Sequence, residues 1–205
     1  MFITFEGLDF CGKTTQVKLL EEYLKSRKKK TVLIREPGGT VISEKVREIL
    51  LDKKNSEMYG ETELLLFSSS RSQLVRQVII PALKKGIFVI SDRFHDSSTA
   101  YQSFGRSISL QFLQKLNKFV IDGAVPDITF FLDIPVKEVV RRKSKVKNIN
   151  LDRIEVSENN FYTRVRNGYL YLLKSEKRFR KINGMLSIDK VHRKIINEIE
   201  KFEKS

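Results

Sequence analysis

Short apolar runs recur along the chain and alternate with longer stretches in which apolar residues repeat at helical spacing. Five runs, rich in β-branched or aromatic residues, are predicted to be buried parallel strands: residues 2–6, 31–36, 86–93, 127–134 and 184–189. The clearest helical stretch covers residues 61–83. This alternation predicts an α/β fold with a doubly wound parallel sheet of about five strands flanked by helices, in which ligands bind beyond the carboxyl ends of the strands.

No repeat, low-complexity segment or proline-rich linker divides the 205 residues, of which 40% are hydrophobic. A chain of this size and composition can form one core. We therefore expect a single domain over residues 1–205. The most polar interruption, RRKSKVKNINLDR at residues 141–153, is expected to form a lid.

The chain is basic, with 39 Lys and Arg against 25 Asp and Glu and a net charge of +14. This charge suits an anionic partner such as a nucleotide, a nucleic acid or a membrane surface. Basic runs such as residues 27–30 lack interleaved aromatic residues, and no stretch approaches the roughly 18 apolar residues of a membrane span. We therefore expect neither nucleic acid nor membrane as a partner. The single cysteine favours a reducing compartment, the cytoplasm.

Residues 7–14, GLDFCGKT, match the phosphate-binding pattern G-x-x-x-x-G-K-[ST] between a predicted strand and a predicted helix. Its glycines let backbone N–H groups surround phosphate oxygens, Lys13 neutralises the β- and γ-phosphates, and Thr14 can bind Mg²⁺. The residues expected to bind ATP are Gly7, Leu8, Asp9, Phe10, Cys11, Gly12, Lys13 and Thr14. The loop alone leaves the phosphoryl acceptor open: water, a metabolite or a nucleotide.

Six stretches together carry a more specific signal: FEGLDFCGKTTQ (5–16), REPGGT (35–40), SSSRSQLV (68–75), DRFHDSSTAYQSFGR (92–106), PDITFFLDI (126–134) and LDRIE (151–155). In this order they resemble the bacterial thymidylate kinase family. The combination of REPGG with DR…AYQ is far more specific than the phosphate loop. The resemblance implies a P-loop nucleoside monophosphate kinase fold, usually a homodimer, that transfers the γ-phosphoryl group of ATP to dTMP with Mg²⁺ and gives dTDP and ADP.

The resemblance also implies an acceptor site. Phe67 would stack on thymine and Arg71 would donate to its O4 atom, and their four-residue spacing places both on one helix face. Tyr101 would crowd the sugar and disfavour a 2′-hydroxyl group. The other residues expected to bind dTMP are Asp9, Glu36, Arg93, Ser97, Ser98 and Gln102.

Catalysis is expected to depend on cations around the transferring phosphoryl group. Asp92 is expected near the metal with Thr14, and Arg93 would contact the phosphates of both substrates. The phosphate loop has no basic residue before Gly12, so the lid must supply a further cation. The candidates are Arg153 first and Arg142 second, with Lys145 and Lys147 as alternatives.

Two other functions stay open from the residues alone. One is a different nucleoside or nucleotide kinase, which would differ in whether its acceptor must carry a phosphate. The other is a P-loop ATPase that binds nucleic acid, which would show hydrolysis stimulated by oligonucleotides.

Overall fold

The computed structural model describes residues 1–145, 151–154 and 159–204. Five strands in these ranges form one parallel sheet in the order β2-β3-β1-β4-β5. The strands are β1 (Phe2–Glu6), β2 (Thr31–Arg35), β3 (Phe88–Asp92), β4 (Ile128–Asp133) and β5 (Phe179–Asn183). The predicted α/β fold with about five parallel strands is confirmed.

The central strands β1 and β4 are buried along their whole length. Helices cover both faces of a parallel sheet, so such strands read as continuous apolar runs and are the easiest to predict. Their few polar groups are paired: the hydroxyl groups of Thr4 and Thr129 lie 2.8 Å apart. The first four predicted strands correspond to β1 to β4.

The fifth predicted strand, residues 184–189, is wrong. The strand is β5, and residues 184–187 form the turn that follows it. β5 lies at the edge of the sheet and pairs only with β4, so its side chains Arg180 and Lys181 reach solvent and break the apolar run. Gly184 donates its amide to the Asp133 carbonyl and turns the chain away from the sheet.

The helices in the described ranges surround this sheet. They are α1 (Lys13–Ser26), α2 (Val41–Leu51), α3 (Gly60–Leu74), α4 (Ile80–Lys84), α5 (His95–Ser98), α6 (Leu110–Ile121), α7 (Val136–Lys145), α8 (Asn159–Ser175) and α9 (Ile188–Lys204). A π-helical segment, Val75–Ile79, joins α3 to α4, and a second, Thr99–Gly105, follows α5. The helical prediction for residues 61–83 is thus confirmed. None of the described helices has the length and apolar content required to cross a membrane.

The start of α1 positions the phosphate loop. Gly12 adopts a left-handed conformation, and no side chain caps the first turn of the helix. The first amide groups of a helix have no partner within the helix. At α1 they are therefore available to an anion at the carboxyl end of β1.

Candidate active site

A cavity of about 570 Å³ lies at the carboxyl ends of β1, β2 and β3. Its walls come from the phosphate loop, the REPGG loop after β2, helix α3, the segment after β3 and the described residues at 142, 152 and 154. Open α/β sheets bind ligands at this edge. The polar clusters singled out in the sequence therefore meet in one place.

The phosphate loop depends on two glycines. A side chain at Gly7 would place its Cβ atom 2.5 Å from the Leu132 carbonyl oxygen, so only glycine fits. Lys13 is buried, and its Nζ atom donates to the carbonyl oxygens of Gly7 (3.2 Å) and Leu8 (2.9 Å). The ammonium group thus lies inside the curve of the loop.

Not every residue of the phosphate loop reaches the cavity wall. Asp9, Phe10, Gly12, Lys13 and Thr14 line the cavity. Gly7 and Leu8 do not reach it, and Cys11 lines a neighbouring cavity instead. The Cys11 side chain is buried, and this burial raises the pKa of its thiol. These hidden residues contribute to the loop through backbone and packing.

Thr14 and Asp92, the two residues predicted to bind the metal, are in direct contact. The Thr14 hydroxyl donates to Asp92 Oδ2 at 2.6 Å, and both side chains line the cavity beside Lys13. Asp92 ends β3, opposite Phe5 of β1 in the register of the sheet. A hydroxyl and a carboxylate oxygen this close together fit the oxygen ligands that Mg²⁺ prefers.

Arg93 lines the cavity beside the phosphate loop. It forms an ion pair with Asp9 and donates to the Gly7 carbonyl (3.0 Å) and the Tyr101 hydroxyl (3.1 Å). Burial would raise the pKa of Asp9, but the charges of Arg93 and Lys13 outweigh it and hold that pKa below its usual value. The carboxylate therefore stays ionised and fixes one side of the guanidinium group.

One wall brings together Phe67, Arg71, Glu36 and Ser98. Arg71 is 1% exposed, and it donates to Glu36 Oε2 at 2.7 Å and to Ser98 Oγ at 3.0 Å. Burial raises the pKa of Glu36 to about 7, and the attraction of Arg71 offsets it only in part. The other carboxyl oxygen of Glu36 is buried and has no hydrogen-bond partner in the described part of the chain.

Tyr101, Ser97 and Gln102 line the same cavity from the segment after β3. The Tyr101 hydroxyl donates to Asp9 Oδ2 at 3.2 Å, and burial raises the pKa of this phenol well above its usual value. Gln102 donates to Glu63 at 2.8 Å. The structure thus brings together all the residues predicted to bind dTMP.

Of the predicted lid cations, Arg142 lies at the cavity. It extends from α7, pairs with Glu138 at 2.6 Å, and donates to the carbonyl oxygens of Phe10 (3.1 Å) and Gly184 (2.9 Å). It also lines a second cavity of about 340 Å³ on the far side of Gly12. Lys145 is exposed, and Lys147 lies outside the described residues.

The structure does not bring Arg153, the first-ranked lid cation, to the cavity. Its side chain is buried and donates to Glu63 Oε2 at 2.6 Å and to the Leu50 carbonyl at 3.0 Å. Glu63 also accepts from Arg106 and Gln102. The expectation for Arg153 overlooked this buried carboxylate because Glu63 lies in α3, far from residue 153 in the chain.

Sequence reasoning missed two arginines on the cavity wall. Arg35 ends β2, and Arg47 lies in α2, where its guanidinium donates to the Pro37 carbonyl at 2.8 Å. Arg35 is the first residue of the REPGG stretch, so its place in that motif could have identified it as a site residue. Nothing local marks Arg47, because only the packing of α2 against α3 turns it to the cavity.

A glycine-rich phosphate loop between a strand and a helix, facing a second polar wall across one cavity, defines a P-loop nucleotide kinase. The thymidylate kinase family model matches residues 5–195. The chain is 48% identical to the thymidylate kinase of Kosmotoga olearia over 199 residues, 97% of this chain and 94% of that one. It is 50% identical to the thymidylate kinase of Thermosipho africanus over 201 residues, 98% of each.

A solved structure agrees with these sequence relatives. The crystal structure of thymidylate kinase from Ehrlichia chaffeensis superimposes with a TM-score of 0.78 at 37% identity and covers 98% of each chain. The chain therefore belongs to the thymidylate kinase family, which is a family of phosphotransferases.

Proposed function

We propose that the protein is a dTMP kinase that transfers the γ-phosphoryl group of ATP to dTMP, with Mg²⁺ as the metal. One observation carries the proposal: a single cavity joins the phosphate loop to a wall with Phe67, Arg71 and Tyr101. The loop suits a nucleoside triphosphate, and the wall suits a pyrimidine deoxynucleotide. Family membership supports the same reaction.

The donor lies along the phosphate loop. Lys13 and the first amides of α1 bind the β- and γ-phosphates. The second cavity, of about 340 Å³, shares Gly12, Thr15 and Arg142 with the first and has room for the nucleoside of ATP. Thr14 and Asp92 would hold Mg²⁺, which would supply positive charge that shields the phosphates from each other.

The acceptor base lies against Phe67, and Arg71 donates to thymine O4. Glu36 and Ser98 hold the Arg71 guanidinium from the other side, so its direction is fixed before the base arrives. A cytosine presents an amino group at this position and would leave a buried donor facing another donor. Tyr101 stands against the sugar and selects deoxyribose.

The reaction is an in-line displacement. An oxygen of the dTMP phosphate attacks the γ-phosphorus of ATP, and the bond to the β–γ bridging oxygen breaks as ADP leaves. A phosphate monoester is already ionised near neutral pH, so no general base is required. Arg93 and Arg142 neutralise charge on the transferring group. Arg142 takes this role in preference to Arg153, which Glu63 holds away from the cavity.

We further propose one domain over residues 1–205, in the cytoplasm, with about residues 141–153 as its lid, of which residues 146–150 lie outside the described part of the chain. A homodimer is supported by apolar side chains that remain exposed on two packed helices, namely Leu65 on α3 and Phe112 and Phe119 on α6. Light scattering should give twice the chain mass of 23.9 kDa. Phe119→Glu should shift the mass toward the monomer, and a monomeric wild type would overturn the assembly.

The function is tested by an assay of ADP release with Mg²⁺ and ATP against a panel of nucleoside monophosphates. We expect the highest kcat/KM with dTMP, a lower value with dUMP, and the lowest values with dCMP and AMP. A faster reaction with dCMP or AMP would overturn the assignment of the acceptor. ADP release that needs an oligonucleotide and no monophosphate would instead favour a nucleic-acid-dependent ATPase.

A further inference from the structure

Glu6, the last residue of β1, lies directly behind the cavity and has no part in the reaction described above. Its side chain is fully buried, and it precedes the first glycine of the phosphate loop. A buried carboxylate is unfavourable unless hydrogen bonds compensate for the lost water. Its partners therefore indicate what the carboxylate does.

Three donors converge on the two carboxyl oxygens of Glu6. Oε1 accepts from the backbone amide of Phe94 at 2.8 Å. Oε2 accepts from the hydroxyl groups of Ser97 at 2.6 Å and Tyr169 at 2.8 Å. An ionised carboxylate has acceptor positions on both oxygens, whereas the amide of glutamine has one accepting and one donating end.

The same three groups hold Arg93. Its Nη1 atom lies 3.2 Å from both the Ser97 and the Tyr169 hydroxyl oxygens. The Phe94 amide belongs to the next residue, and the φ angle of Arg93 is 70°, a left-handed conformation that is unfavourable for a side chain of this size. Glu6 thus supports the guanidinium group through two hydroxyls and the backbone through one amide.

The direction of these hydrogen bonds matters. Each hydroxyl gives its hydrogen to Glu6, so its oxygen lone pairs face Arg93 and accept from Nη1. If the two hydroxyls had to accept from a donor at position 6, their hydrogens would turn toward each other, across the 3.0 Å between the two oxygens, or toward the guanidinium group. In its carboxylate form Glu6 therefore fixes the acceptor polarity of the two hydroxyls that Arg93 contacts. Burial raises the pKa of Glu6 to about 7, so this form predominates only above that pH.

We propose that Glu6 is a positioning residue for catalysis, which holds Arg93 against the phosphates through Ser97, Tyr169 and the Phe94 amide. The proposal rests on the proposed kinase function. Asp9 fixes Nη2 of the guanidinium from the cavity side, and the layer behind it fixes Nη1. A cation that is aligned before the substrates bind stabilises the transferring group without reorganisation.

Asp133 offers a matched control. It ends β4, the strand beside β1, and its side chain is also nearly buried. Its partners are Arg166 and Lys181, and it lines neither cavity. Asp133→Asn removes the same charge from a neighbouring strand end and leaves Arg93 untouched.

The test is a double-mutant cycle with dTMP and ATP as substrates. We expect Glu6→Gln to lower kcat by about 10- to 100-fold while the KM for dTMP changes by less than about threefold. In an Arg93→Ala background, the same substitution should change kcat by less than about twofold, because the group that it positions is gone. Asp133→Asn should keep kcat within about twofold, even if its melting temperature falls by as much as that of Glu6→Gln.

The outcomes separate this proposal from the proposed function. Wild-type protein that does not phosphorylate dTMP would contradict the function itself. Active wild type together with unchanged kcat in a folded Glu6→Gln protein would overturn only the role of Glu6. An equal loss with and without Arg93 would also overturn it, because Glu6 would then act independently of Arg93.

A second variant decides the case if Glu6→Gln does not fold. Tyr169→Phe removes one of the two bridging hydroxyls and keeps the ring stacked on Phe131, with the ring centres 5.2 Å apart. We expect it to lower kcat by about 3- to 10-fold only when Arg93 is present. A loss of the same size in the Arg93→Ala background would contradict the proposal.

Discussion

The phosphate loop consists of consecutive residues, whereas the opposite wall of the cavity is assembled from side chains far apart in the chain. The loop follows β1 directly, and the positive φ angles of Gly7 and Gly12 determine its shape. The opposite wall depends on pairs such as Arg71 with Glu36, which are 35 residues apart, and Arg71 with Ser98, which are 27 residues apart. The phosphate loop is thus a local property of the sequence, and the opposite wall is a property of the fold.

The largest expected loss of activity comes from a substitution in the phosphate loop. Lys13→Ala should lower kcat by at least about 10³-fold, because it removes the cation inside the loop, where we propose that the β- and γ-phosphates bind. Steady-state kinetics measure the loss, and an unchanged melting temperature shows that the fold is intact. Near-normal turnover would contradict the assignment of the loop as the donor site.

Substitutions of the two lid arginines test the part of the site that is assembled from distant residues. Arg142→Ala should lower kcat by about 10²- to 10³-fold. Arg153→Ala should change kcat by less than about fivefold and lower the free energy of unfolding by about 1–3 kcal/mol, because a buried partner of Glu63 is lost. The reverse ranking would show that Arg153 leaves Glu63 during the reaction.

Glu36 makes the stability of the fold fall as pH rises, which is the opposite of the effect of Asp9 in the phosphate loop, whose pKa is lowered. For Glu36, the folded pKa of about 7 lies above the ordinary value of 4.5, so protonation favours the folded state. Protonated Glu36 therefore contributes up to about 3 kcal/mol to the free energy of unfolding. This contribution is complete below about pH 4.5 and is lost as pH rises through about 7.

Glu36→Gln should remove this component, so the difference between its unfolding free energy and that of wild type should change between pH 5 and pH 8. Glu6, whose pKa burial also raises to about 7, repels Glu36, so the difference also includes the change in the pKa of Glu6 when the charge at position 36 is removed. Denaturant unfolding at both pH values provides the measurement. A difference independent of pH would mean that Glu36 is ionised throughout.

The smallest expected effect concerns the choice of base. Arg71→Lys keeps the charge but loses the planar group that contacts Glu36 and Ser98 together. We expect the preference for dTMP over dCMP, measured as the ratio of kcat/KM values, to fall by about 10-fold. A retained preference would move base selection to another residue.

Much of the fold and of the site could be predicted from the sequence, for a physical reason. The buried central strands form continuous apolar runs, and the phosphate loop needs glycine where a side chain would meet Leu132. The edge strand β5 was missed because Arg180 and Lys181 face solvent. Its prediction over residues 184–189 followed local apolar content, which at the edge of a sheet does not mark a strand.

The ranking of the lid cations could not be obtained from the chain alone. Arg142 and Arg153 both lie in a basic stretch, and no local feature separates them. Glu138, four residues before Arg142, leaves that arginine beside Phe10 and Gly184, whereas Glu63 in α3 draws Arg153 away. The side chain that decides the difference belongs to another part of the sequence.

The central claim is that the protein transfers the γ-phosphoryl group of ATP to dTMP within one cavity. Product analysis tests this claim most directly. Wild-type protein with Mg²⁺, ATP and dTMP should form dTDP and ADP in equal amounts, as measured by chromatography of the nucleotides, and Lys13→Ala should form neither at a comparable rate. Without dTMP, ADP formation should be slow. ADP formed in excess over dTDP, or at the same rate without dTMP, would show that water is the acceptor and would contradict the account.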